Sequence, residues 1–134
     1  MPALLAALTA LGLVGAFLLP RRFQDGRDRN EAAARTALLA LAEAEAVYHE
    51  GGGRYAGDLA ALPPGVPGLP SRGLNLGYRF GAVEIDETGR PFPRGKRFAY
   101  YAIPETYHVT GIRALLVDPE GLVYAKDLGS SLPP

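Results

Sequence analysis

The sequence predicts an α+β protein in which one long N-terminal helix packs on an antiparallel sheet of about four strands. Three observations lead there. The chain opens with an apolar run, Ala3 to Leu19, broken in polarity only by Thr9. An alanine-rich pattern of helical period then runs from Glu31 to His49 and stops at Gly51-Gly52-Gly53. Beyond it, short alternating apolar segments are divided by turn residues, in a chain with 17 glycines and 12 prolines.

Length and composition set the bounds. The chain has 134 residues, which fits a single domain. We divide it into an anchor segment, residues 1–22, and a head, residues 23–134, long enough for one modest core. Fourteen Lys and Arg balance fourteen Asp and Glu, so net charge offers no general attraction to nucleic acid or acidic lipid. Cysteine is absent, which excludes a disulfide framework, a thiolate metal site and a cysteine nucleophile. Its absence leaves the compartment open.

The first element is the apolar run. It lies at the short end of what spans a hydrocarbon core at 1.5 Å per residue. A secretory signal would begin with positive charge and end in a small-x-small site. Here only the terminal amine is positive, and Val14-Gly15-Ala16 runs on into Phe-Leu-Leu. A buried helix would show one polar face, and this run shows none. An uncleaved membrane anchor is therefore expected. Arg21 and Arg22 behind it would, by the positive-inside rule, place the head in the cytoplasm.

The second half of the helix comes next. Asp25, Gly26, Asp28 and Asn30 read as a polar interruption, with Asn30 capping a segment that starts at Glu31. Eight alanines between 32 and 46 give that segment high helix propensity. Ala37, Leu41, Ala44 and Tyr48, flanked by Leu38 and Val47, form a stripe expected to pack on the head. Glu31 and Arg35 sit at i, i+4 as an exposed ion pair.

After residue 50, Asp58 is expected to cap a single turn through Leu62, stopped by Pro63-Pro64. Residues 63–73 read as a proline-stiffened loop. Leu76, Tyr78, Phe80 and Ala82 alternate as a strand, with a bulge at Gly81 shifting the phase to Val83 and Ile85. A polar loop, Asp86 to Lys96, leads to strands at Arg97–Ile103, Gly111–Val117 and Leu122–Lys126. Asp118-Pro119-Glu120-Gly121 carries the residues of a type I turn. The tail from Gly129 to Pro134 is expected to be loose.

Taken together, the apolar helix with Gly12, Gly15 and Pro20, the scattered arginines, the pattern at 37–48 and the segment Gly53 to Leu62 resemble the type IV pilins and type II secretion pseudopilins. The resemblance covers essentially the whole chain. It implies a membrane-anchored structural subunit of a type IV pilus, a secretion pseudopilus or a DNA-uptake (competence) filament. Its partners would be other pilin-like subunits, through the N-terminal helix, and inner-membrane assembly proteins. It also implies a single-pass protein of the bacterial inner membrane, with its head outside the cytoplasm, in conflict with the arginine pair. One departure stands out. Setting Pro20 against the family's helix proline puts Ala3 where the family carries a glutamate that aids assembly, and no leader of the family's pattern precedes it. Either the natural start lies upstream of Met1, or this member is not processed in the usual way. The alternative function is a membrane-tethered binding module that never polymerises.

No catalytic, cofactor or metal site is expected. His49 and His108 are lone, and His49 is accounted for by its place at a helix C-terminus. Asp86, Glu87, Asp118 and Glu120 are candidate cation ligands, because some pseudopilins hold calcium in this part of the head. Asp118 is already explained by its turn, and no one segment supplies the six to eight oxygens calcium wants. Arg94 to Tyr101 mixes basic and aromatic residues, a surface type that stacks bases, and some pilin-like subunits serve DNA uptake. An exposed strand edge protected by charge explains the same residues. The head loops 63–73 and 86–96 are the expected partner surfaces.

Overall fold

The computed structural model describes residues 2–62, 74–75 and 77–130, with side chains for residues 25–62 and 77–130. Helix α1 runs unbroken from Pro2 to Gly52, 51 residues. The expected interruption at Asp25 to Asn30 does not occur. A single Gly26 costs a helix only about 1 kcal/mol, and cooperative propagation from the alanine-rich segment exceeds that. Asn30 does not cap; its side-chain amide donates to the Thr110 carbonyl at 2.9 Å. The helix ends as expected at the glycines. Gly53 adopts a φ of 71° and its N–H bonds the His49 carbonyl at 2.7 Å.

Among the described residues, no helix is long and apolar enough to cross a membrane. The side chains of the apolar run at 3–19 lie outside those residues, although the backbone there is helical.

The buried face of α1 is Ala34, Ala37, Leu38, Leu41, Ala42, Ala44 and Glu45. This corrects the C-terminal end of the predicted stripe, because Tyr48 and Val47 are exposed and Glu45 is fully buried. After the helix, Asp58 caps a 3-10 turn, Leu59–Ala61, accepting from the Ala60 N–H at 3.1 Å. The proposed stop at Pro63-Pro64, the loop 63–73, Leu76 and the end of the tail, 131–134, lie outside the described residues.

The strands are β1 (Leu74–Asn75), β2 (Tyr78–Ala82), β3 (Tyr100–Pro104), β4 (Arg113–Val117) and β5 (Val123–Asp127). They form one antiparallel meander in the order β1-β2-β3-β4-β5. The four expected strands are β2 to β5, and β1 adds a two-residue edge. β3 starts at Tyr100 rather than Arg97, and β4 at Arg113 rather than Gly111. The bulge at Gly81 is absent: β2 pairs with β3 without a slip, Gly81 opposite Tyr101. Glycine there lets the Tyr101 ring lie across β2, in the space a Cβ would occupy.

α1 lies across one face of this sheet. Its alanines let the helix approach closely, and the sheet fills the space with Tyr78, Phe80, Tyr100, Leu115 and Val117. Phe98 and Leu62 close the far end of the core. Each fully buried large apolar side chain contributes about 1.5–3 kcal/mol. This packing sets the polarity of the head. Residues 27–31 of α1 meet the loop between β3 and β4, whereas Glu45 meets the linker after the helix and Tyr100.

Candidate interaction surfaces

The end of the head nearest the apolar run is built by the β3–β4 loop, residues 105–112. Arg27 Nη1 donates to the His108 carbonyl at 2.8 Å, and Asn30 holds Thr110. Arg113 pairs with Glu31, which Arg35 also approaches at 3.7 Å, the expected i, i+4 contact. The loop is closed by its own bonds. The N–H groups of Val109 and Thr110 both reach the Thr106 carbonyl, at 3.0 and 2.9 Å, and the Thr110 hydroxyl accepts from the Thr106 N–H at 3.0 Å. His108 sits at a φ of 68°, the left-handed region that a branched residue would resist.

The opposite end carries the β2–β3 loop, the β4–β5 turn and the linker. Its organising group is Glu45. The carboxylate accepts from the N–H groups of Ala56 and Gly57 at 2.9 and 3.0 Å and from the Tyr100 hydroxyl at 2.7 Å. One side chain thereby ties helix, linker and β3 together. Burial, then the bond to Glu45, pushes the Tyr100 hydroxyl pKa upward, so it stays a donor. Beside this latch, Ala44, Val47, Tyr48 and Tyr55 wall a cleft of about 970 Å³, with Glu43 and Arg54 among its lining residues. Sequence reasoning missed Glu45, although its place four residues after Leu41 put it on the apolar stripe.

The histidines lie apart at the two ends. His49 stacks on Tyr55 with ring centroids 4.4 Å apart, and His108 meets Tyr107 edge-on at 4.4 Å. The candidate carboxylates point into their own turns. Asp86 Oδ1 accepts from the Thr88 hydroxyl at 2.6 Å and the N–H groups of Thr88 and Arg90. Glu87 pairs with Arg97 at 3.6 Å. Asp118 closes the expected turn: Gly121 N–H bonds its carbonyl at 3.0 Å, while its side chain takes Leu122 N–H and the Tyr124 hydroxyl. Glu120 is exposed in the same turn. Among the described residues, no group of three or more His, Asp or Glu is placed to hold a metal ion.

These turns couple the fold to pH in one direction. The Thr88 hydroxyl holds the Asp86 carboxyl below its ordinary value of 3.8. Burial opposes the same effect at Asp118, but the bonds from Leu122 and Tyr124 outweigh it. The Tyr107 hydroxyl lowers Asp127 in the same direction. Groups lowered in the folded state stabilise it fully above the unfolded carboxylate pKa of about 3.9 and lose that contribution as pH falls through the folded value. These solvent-screened groups are therefore expected to leave melting temperature unchanged down to about pH 5 and to lower it modestly below about pH 4. Replacing Asp86, Asp118 and Asp127 together with asparagine should flatten that fall.

The basic-aromatic stretch is divided between core and solvent, with Tyr101 half-exposed. Phe98 and Tyr100 are both in the core against α1. The outward residues are Arg94, Lys96 and Arg97, and Arg97 lies over Phe92 at 5.3 Å besides pairing with Glu87. Residues 94–99 precede β3 in turns and isolated bridges, so they follow no strand alternation: Phe98 turns inward with Tyr100, while Arg94 and Lys96 reach solvent.

No curated protein and no solved structure matches this chain. One family does, over residues 94–132, the span that contains β3, β4 and β5 with their connecting turns. It is described as Protein of unknown function (DUF2950), and in that segment the chain is similar to it.

Proposed function

We propose that this protein is a membrane-anchored, pilin-like structural subunit of a filament or secretion pseudopilus, with no reaction of its own. One observation carries the reading. A single helix, Pro2–Gly52, bears the apolar run at one end, while its described bonds to the head begin at Arg27, on the β3–β4 loop. Such a helix is suited to two tasks: its first half to bilayer and like helices, its second half to a small head. The head then stands with the β2–β3 loop and β4–β5 turn farthest from the bilayer, available to partners. Loop 86–96, expected from the sequence to meet partners, lies at that end.

A second reading, a tethered module that does not polymerise, is favoured by Ala3 standing at the family's glutamate position. Cysteine scanning separates the two, since the chain has no cysteine of its own. Single cysteines at Leu8, Leu11 and Phe17 are oxidised in native membranes. A filament subunit is expected to give face-dependent disulfide dimers that sediment with the membrane. Membrane-bound monomer at every position would select the tethered module. Protein recovered in the soluble fraction after salt washing would overturn both.

A further inference from the structure

We propose that the β3–β4 loop is a membrane-contacting tip, in which Val109, beside Tyr107 and His108, meets the phospholipid headgroup layer next to the anchor. This rests on the membrane-anchored reading above. α1 is continuous, so helix geometry fixes the height of the loop over the apolar run. At 1.5 Å per residue, Arg27 stands about 12 Å beyond Leu19 and about 6 Å beyond Phe23. The headgroup layer extends about 5–8 Å outside the hydrocarbon core on each side. A loop fastened to Arg27 through the His108 carbonyl therefore stands at, or one side-chain length above, the headgroups.

The chemistry of the tip fits that position. Val109 is 56% exposed although the loop around it is closed by its own hydrogen bonds, so a preformed turn holds an aliphatic side chain outward. The Tyr107 hydroxyl is bound to Asp127 at 2.8 Å, which fixes its ring beside the tip. Tyrosine is enriched at the interface because it is apolar along its ring and polar at its end. Arg27, Arg29 and Arg113 are offset by Asp25, Asp28 and Glu105 on the same end of the head. The contact is accordingly driven by apolar and aromatic groups, and anionic lipid should add little.

The chain contains no tryptophan, so single tryptophans report cleanly. Full-length Leu11→Trp, Val109→Trp and Leu122→Trp are reconstituted in vesicles of phosphatidylethanolamine and phosphatidylglycerol. Some vesicles carry a nitroxide on the headgroup, others one in the acyl chain. Leu122, 57% exposed at the far end of the head, is the matched control. The acyl nitroxide should quench Leu11→Trp, and the headgroup nitroxide should quench Val109→Trp several-fold more than Leu122→Trp. Quenching of Leu11→Trp with Val109→Trp no different from Leu122→Trp would overturn the tip while leaving the anchor intact. An unquenched Leu11→Trp would overturn both. Val109→Cys carrying a small nitroxide, read by its collisions with an aqueous nickel chelate, repeats the test without a large aromatic in the loop.

Discussion

Glu45→Ala is expected to destabilise the head by about 3–5 kcal/mol, the range for removing one partner from a buried, charge-bearing network. The carboxylate is fully buried and has three donors and, among the described residues, no cation paired with it. Its removal strands the buried Gly57 N–H and Tyr100 hydroxyl, and leaves the part-buried Ala56 N–H to the cleft beside it. Each stranded group costs about 1–3 kcal/mol. Glu45→Gln should fall between. Its carbonyl oxygen can keep the Gly57 and Tyr100 bonds made by Oε1, but its amide then faces the Ala56 N–H, donor against donor. Tyr100→Phe should cost only about 1–2 kcal/mol, because the carboxylate keeps two amide donors. Urea denaturation of the full chain in detergent, followed by tyrosine fluorescence, measures the series. A loss below about 1 kcal/mol for Glu45→Ala would show that the linker reorganises and that Glu45 does not hold it.

This network also shows where the sequence is legible and where it is not. Features written in local chemistry can be read directly. Asp58 caps its turn, Gly53 ends the helix, and Asp118 to Gly121 turns the last hairpin, each through residues within a few positions. The order of helix and strands is legible for the same reason. Features fixed by distant partners are not. Asn30 looks like a cap until Thr110, eighty positions away, takes its amide. Gly81 looks like a bulge until the Tyr101 ring is placed over it. Glu45 looks like one more exposed glutamate in an alanine-rich helix, and Tyr48 like the next residue of the stripe. Only the linker folding back to offer two amides reverses their roles. The basic-aromatic run is divided between core and solvent for a related reason. Composition names the residues present, but packing against α1 decides which of them reach solvent.

The same dependence on a distant partner makes Gly111→Ala the second large effect, with an expected loss of about 2–4 kcal/mol, at or above the usual cost of overpacking a core. The backbone of Gly111 is not in the left-handed region, so alanine is not excluded by conformation. Space excludes it: a Cβ would lie 2.4 Å from the Tyr78 hydroxyl oxygen and 2.7 Å from two ring carbons. Tyr101 over Gly81 ends in a half-exposed side chain that can swing aside, whereas Tyr78 cannot. Its ring is fully buried, its hydroxyl donates to the Arg113 carbonyl at 2.9 Å, and burial pushes that hydroxyl's pKa up to about 12. Tyr78→Phe alone should cost about 1 kcal/mol for the lost bond. In the double variant the closest clash disappears, so the pair should be less destabilised than the sum of its parts by about 1 kcal/mol or more. Additive losses would mean that Gly111 is kept for the β3–β4 loop rather than for Tyr78. In that case Gly111→Ala should instead disturb the bond between the His108 N–H and the Gly111 carbonyl, which amide exchange at His108 would report directly.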